Sequence, residues 1–266
     1  MLAFSPWVRR VIYVYKICLN VYKNLLRMDK RYLQMLPSEL QSIVAAIEAK
    51  AGCTIEVVPD EKAAAFDNLE LRFMASGECG ATITFKGTEI GRCALIHEVL
   101  HIHRNWGEEV PYLKPLGPQY MYQASWLNDL LEHLVIIPEE QKYEEAESRK
   151  HWSGLCDELL WDVRGRWYGM PKTVLKQCLF QLRAMRDIAL PFWETPGLDE
   201  TLIASNLGDA SAEFVATLQS KIERKIDLLR FAASEFQYDS AGFNIVRFDL
   251  SARPRAVVSV GNPHTW

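Results

Sequence analysis

Two histidines four residues apart, with a glutamate directly after the first, constrain this chain more than any other feature: His97-Glu98-Val99-Leu100-His101. Residues i and i+4 share a face on an α-helix, so the spacing asks for a helix through this stretch. The flanks agree. Ala94, Leu95 and Leu100 give that helix an apolar side, and no proline stands between Gly91 and Asn105. Histidine is scarce, six in 266 residues, yet His97, His101 and His103 fall within seven positions. With six His and 22 Glu, composition alone yields about 0.01 such pentapeptides, so chance explains the motif poorly.

The chemistry of the spacing is specific. Two imidazoles on one helix face can converge on one ion, and Glu98 stands beside them without being needed as a ligand. Neutral imidazole nitrogen suits Zn²⁺, and a third protein ligand would leave a fourth position for water. Zinc lowers the pKa of such a water towards about 7, and a neighbouring carboxylate can take its proton. The expected cofactor is one Zn²⁺ ion, with His97 and His101 as metal ligands and Glu98 as general base.

Around the motif, Pro37-Ser38-Glu39 predicts a helix with Ser38 as N-cap, ending near Gly52. Three strand-like segments follow, Thr54–Val58, Leu69–Met74 and Ala81–Phe85, separated by turn-prone residues. The stretch Trp106–Gln123 holds three prolines and two glycines and reads as a long loop. Leu127, Leu130, Leu131 and Leu134 have helical spacing in a segment expected to end at Pro138. Helical segments are expected around 140–166, 172–189 and 210–235, with a loop Leu190–Gly208 before the last. Phe243–Leu250 and Ala256–Val260 read as short strands. A helix, then strands, then many helices predicts an α+β fold.

From Ser38 to about Pro138 the chain resembles the zincin metallopeptidase superfamily, on the H-E-x-x-H helix with a small sheet before it and a helix after it. The resemblance implies a zincin-like core over 36–140 and a mainly helical C-terminal region over 141–266. It also implies that Ala81–Phe85 forms the sheet edge on which an extended substrate aligns by strand addition. The metzincin continuation to a third histidine is absent: Arg104 and Gly107 stand where its glycine and histidine would fall. His103, two residues past His101, faces away from the pair on a helix. The G-T-x-D sequence of aspzincins is absent too. The chain is similar to the gluzincin type, whose third ligand is a glutamate on a later helix.

That resemblance makes Glu132 the leading third metal ligand, in Asn128-Asp129-Leu130-Leu131-Glu132-His133. Asp129, Glu132 and His133 share one polar face of a leucine-backed helix. Asp129 could accept a hydrogen bond from a ligand histidine, and His133 could act catalytically on the transition-state oxyanion. Asp129 or His133 could instead replace Glu132 as ligand, while Glu108 and Glu109 stand too close along the chain for a separate helix. Tyr112, Tyr120, Tyr122, Tyr143 and His151 are open as oxyanion stabilisers. Trp152, Trp161, Trp167 and Tyr168 are expected in the helical core.

Charge and composition narrow the partners. Residues 1–35 hold seven Lys or Arg and one Asp, so of the net charge of −4 the remaining residues carry −10. An acidic body argues against nucleic acid as a partner. Residues 7–31 have the 3–4 spacing of an amphipathic helix with a basic face. Docking on the body is favoured for it over contact with a membrane surface. No uncharged apolar run approaches the ~18 residues of a membrane span, and the basic start lacks the layout of a secretory leader. Six scattered cysteines without a C-x-x-C pair fit a reducing compartment, so a cytoplasmic protein is expected. The expected function is hydrolysis of a peptide bond in a protein or peptide by zinc-bound water with Glu98 as base. The alternative is a zincin-fold regulatory or partner-binding protein, of the kind found with mobile elements and toxin–antitoxin systems.

Overall fold

The computed structural model describes residues 28–60, 68–73, 79–166, 169–251 and 256–261. Most of the amphipathic stretch 7–31 lies outside these residues, as do Trp167 and Tyr168. The architecture is α+β, and the chain divides into two units. Unit 1 comprises Met1–His103 with Leu250–Ala256, and unit 2 comprises Arg104–Asp249 with Val257–Trp266. Among the described residues, no helix is long and apolar enough to cross a membrane.

Unit 1 runs α1 (Lys30–Met35), α2 (Ser38–Ala51), β1 (Ile55–Pro59), β2 (Asn68–Phe73), β3 (Cys79–Phe85) and α3 (Arg92–Ile102). α2 begins one residue earlier than its capping signal suggests. Pro37 is the N-cap, its carbonyl accepting from Gln41 at 3.0 Å, and Ser38 is already helical. The helix stops at Gly52, whose φ of 65° is the left-handed conformation that glycine adopts without a Cβ penalty. Buried Glu48 then ties three segments together. Its Oε1 accepts from the Met28 N–H at 2.7 Å and from the Ile55 N–H at 2.9 Å, joining α2 to the approach to α1 and to the start of β1.

The sheet of unit 1 has the order β1-β3-β2, which corrects the expectation that Ala81–Phe85 is an edge. β3 pairs in parallel with β1 from Ala81 to Phe85 and antiparallel with β2 from Cys79 to Thr84. Its ladder groups are used on both sides, so a substrate strand cannot add there. Burial says the same, since Ala81, Thr82, Ile83 and Phe85 are all buried. The Ala-Thr-Ile-Thr-Phe alternation suggests a half-exposed strand, but threonine is small enough to be covered in a central one.

Unit 2 contains β4 (Tyr112–Pro115), α4 (Met121–Arg166), α5 (Lys172–Ala184), α6 (Leu198–Ala204), α7 (Gly208–Lys221), α8 (Lys225–Glu235), β5 (Phe243–Asp249) and most of β6 (Ala256–Gly261). The stretch expected as a loop, Trp106–Gln123, contains β4, which pairs antiparallel with β5 in a sheet ordered β4-β5-β6. Asn128 holds β4 on α4, its side chain accepting from the Leu113 N–H at 2.8 Å and donating to the Leu113 carbonyl at 2.9 Å. Two further expectations fail. The loop Leu190–Gly208 contains α6, and the segment 210–235 is two helices, α7 and α8, with a break at 222–224.

α4 does not end at Pro138, which lies inside it; the helical geometry breaks at Glu144 (φ −139°, ψ 58°). Proline in a helix interior costs about 3 kcal/mol. Leu127, Leu130, Leu131, Leu134 and Ile137 are buried in the unit 2 core, and each contributes roughly 1.5–3 kcal/mol. Burial therefore outweighs the breaker. After Glu144 the chain doubles back. On a straight helix, residues 133 and 152 would be about 28 Å apart, yet the His133 and Trp152 ring centroids are 4.8 Å apart. α4 is thus a helical hairpin with two arms.

Replacing the buried Glu48 by Ala strands two backbone N–H groups, and the expected loss is roughly 3 kcal/mol. Urea unfolding reads the loss, and amide exchange at Ile55 should speed up with it. Coincident unfolding curves for wild type and Glu48→Ala would show that the two bonds carry no stability.

Candidate metal and catalytic site

α3 presents the motif as its spacing requires. Leu95, Ile96, Val99, Leu100 and Ile102 are buried, so the helix is fixed in rotation by its apolar side. His97 and His101 are half-buried one turn apart. Their Nε2 atoms are 3.1 Å apart, with ring centroids at 4.7 Å and planes at 83°. Glu98 is buried at 7% exposure. α3 passes into a π-helical turn, His103–Gly107, with His103 as its first residue.

On the first arm of α4 in unit 2, the polar face separates into different roles. Glu132 is buried, and both its oxygens are held by cations. Oε2 accepts from Arg104 Nε at 2.8 Å, and Oε1 accepts from Lys225 Nζ. Burial acts to raise the Glu132 carboxyl, but Lys225 and Arg104 together outweigh it and hold the group below its ordinary range. Burial also pushes the Lys225 ammonium down, and Arg104 adds to this against the pull of Glu132. The paired cations thus set the direction for Glu132, and burial sets it for Lys225.

His133, next along the helix, points elsewhere, with its ring against Trp152. Asp129 is exposed. Glu108 pairs with Arg104 at 3.3 Å and Glu109 with Arg247 at 3.6 Å. Of the tyrosines, Tyr120 donates to Asp239 at 2.7 Å, and Tyr122 is 62% exposed. Tyr112 stacks on Phe248 with its hydroxyl pushed up to about 12 by burial, so it is a protonated phenol at neutral pH. His151 lies edge-on to Trp152 at 5.0 Å. Sequence reasoning did not find Lys225 or the role of Arg104. No spacing signal links residues 93 positions apart.

Removing the Glu132 charge would take from buried Lys225 the carboxylate it is held by and leave Arg104 with Glu108. Glu132→Gln is therefore expected to destabilise the protein by roughly 3–5 kcal/mol. Lys225→Met should cost about 1 kcal/mol or less, because Glu132 keeps Arg104. Chemical denaturation of both variants checks this order, and an equal or reversed order would mean that the cluster carries no net positive excess.

Compared with protein-family models, curated proteins and solved structures, the chain matches none.

Proposed function

We propose that this chain is a zinc-dependent peptidase of zincin type in which His97 and His101 are ligands of one Zn²⁺ ion and Glu98 is the general base. The observation that carries the reading is the His97–His101 pair, with Nε2 atoms 3.1 Å apart on consecutive turns. A tetrahedral zinc ion with Zn–N of about 2.0–2.1 Å places its nitrogens about 3.3 Å apart, so the pair fits that ion within a few tenths of an ångström. The donor type also fits, because neutral imidazole nitrogen suits Zn²⁺. Glu132 gives up the ligand role in this reading, since Arg104 and Lys225 hold its two oxygens.

When bound, Zn²⁺ supplies a Lewis acid that polarises a carbonyl and acidifies water. The chain's own residues do the rest. Glu98 follows His97 directly, and its carboxylate takes the proton of the attacking water. It then returns that proton to the leaving amine, so one group serves as base and as acid. Low exposure keeps that carboxylate out of bulk water, as a proton carrier requires. The substrate is a protein or peptide, and the −10 charge beyond residue 35 favours a basic segment through the encounter rate.

Purified wild type is expected to carry zinc near one equivalent, and His97→Ala and His101→Ala to lose it. Glu98→Gln should keep the zinc and lower turnover by about 10²–10⁴-fold. New protein N-termini in cells expressing wild type, compared with Glu98→Gln, identify the cleaved substrate. Protein that never takes up zinc would end the metal reading. Zinc retained with identical N-termini in both samples would favour a partner-binding role instead.

A further inference from the structure

We propose that the protein pairs with a second copy of itself through an uncharged apolar tip of unit 2, built from Leu116, Met121 and Tyr122. The inference stands apart from the zinc reading and uses residues of unit 2 alone.

From Val110 to Asn128 the chain has one charged residue, Lys114, in 19 positions, although charged residues make up 24% of the whole. Within that stretch Leu116, Met121 and Tyr122 are 54%, 57% and 62% exposed. They are half of the six large apolar side chains exposed among the described residues, and they fall within seven positions. Single exposed apolar residues are ordinary, whereas a cluster marks a contact surface. Pro118 and Gln119, exposed between them, add no charge.

The tip is tied down at several points. The Tyr120 N–H donates to the Gly117 carbonyl at 3.1 Å, closing the 3-10 turn Pro118–Tyr120 between β4 and α4. Leu116 and Met121 therefore stand at the two ends of one tight turn. The Leu116 N–H donates to the Gly242 carbonyl at 2.9 Å. Tyr120 turns inward, its ring over Gly242, where a Cβ would come within 2.7 Å of it, and 5.2 Å from the Phe243 ring. Its hydroxyl donates to Asp239, whose other oxygen accepts from the Ala241 N–H at 2.9 Å. The exposed side chains on either side of Tyr120 thus ride on a fixed backbone, and covering them costs little further ordering.

Charge selects the occupant. Unit 2 holds 16 Lys or Arg against 23 Asp or Glu, a net −7. Like net charge holds identical copies apart, so two copies meet at least cost where charge is absent, and the tip is such a place. An apolar patch is also self-complementary, as a two-fold contact requires. Interface centres are depleted in Asp, Glu and Lys and enriched in Tyr and Met, which is the composition here. A bilayer is the poorer match. Even a myristoyl chain alone binds a membrane only marginally, and three side chains bury less.

The test is sedimentation equilibrium of the full chain over a wide concentration range. Wild type should rise from 30.5 kDa towards twice that mass. Raising salt from about 0.05 to 0.5 M should strengthen the pairing, because the repulsion is screened while the contact itself carries no charge. Met121→Glu and Tyr122→Glu each place two like charges at the contact, and each is expected to weaken pairing by at least about 10-fold. Ile203→Glu, at an equally accessible place elsewhere in unit 2, should pair like wild type. Thermal melts report the fold of every variant, and either tip variant alone suffices if the other fails to fold. Wild type that stays monomeric throughout overturns the inference, as does a dimer that both tip variants leave unchanged. Monomeric wild type that binds phosphatidylcholine vesicles, with the binding lost in Met121→Glu, would overturn it in favour of a lipid surface.

Discussion

A carboxylate on the first arm of α4 is shared by two cations that arrive from distant parts of the sequence, and the placement of unit 2's polar groups depends on that sharing. Arg104 lies 28 residues before Glu132 and Lys225 lies 93 after it. A lone buried ammonium costs several kcal/mol to desolvate. Lys225 also begins α8, where the helix dipole disfavours a positive charge. Both facts require a buried anion close by, and Glu132 is the one that meets it. The cluster in turn sets the rotation of the arm. Successive residues on a helix point about 100° apart, so once Glu132 faces its cations, His133 must face another direction.

That direction is occupied because α4 folds back on itself. Local propensity places a stop at Pro138, and the loss of one backbone bond there is real. The leucines before it and Ile137 are buried in the unit 2 core, and their burial holds the helix through the proline. The chain turns six residues later, at Glu144, where no glycine or proline marks the position. A stop at Pro138 would separate Glu140 from the helix that carries His133. The actual break keeps both on one arm and turns Trp152 onto them.

What was legible in the sequence follows from the range of each interaction. Helix periodicity and i,i+4 spacing act within a turn or two, so α3, its histidine pair, the extent of α2 and the strand segments could be read directly. The same holds for the α+β class. Strand order is a long-range property. Nothing in Ala81–Phe85 says that β1 and β2 would flank it, and the expected edge is a central strand. The engagement of Glu132 by two cations was illegible for a related reason. Its partners, Lys225 and Arg104, come from distant parts of the sequence. The break before Lys225 has no breaker residue to announce it.

The engagement of Glu132 by two cations also governs how a substitution there must be read. A ligand that binds only the native state stabilises it by RT ln(1 + [L]/Kd), so removing a metal ligand costs stability only when the metal is present. Removing one member of a buried charge cluster costs stability whether or not metal is present, because the stranded charge remains in the protein. Loss of zinc in a Glu132 variant would therefore not by itself identify a ligand, since a partly unfolded unit 2 would lose the metal as well. A Glu132 penalty independent of metal beside a His97 penalty that exists only with metal would separate a structural carboxylate from a ligand imidazole. Loss of metal binding alone cannot make that distinction.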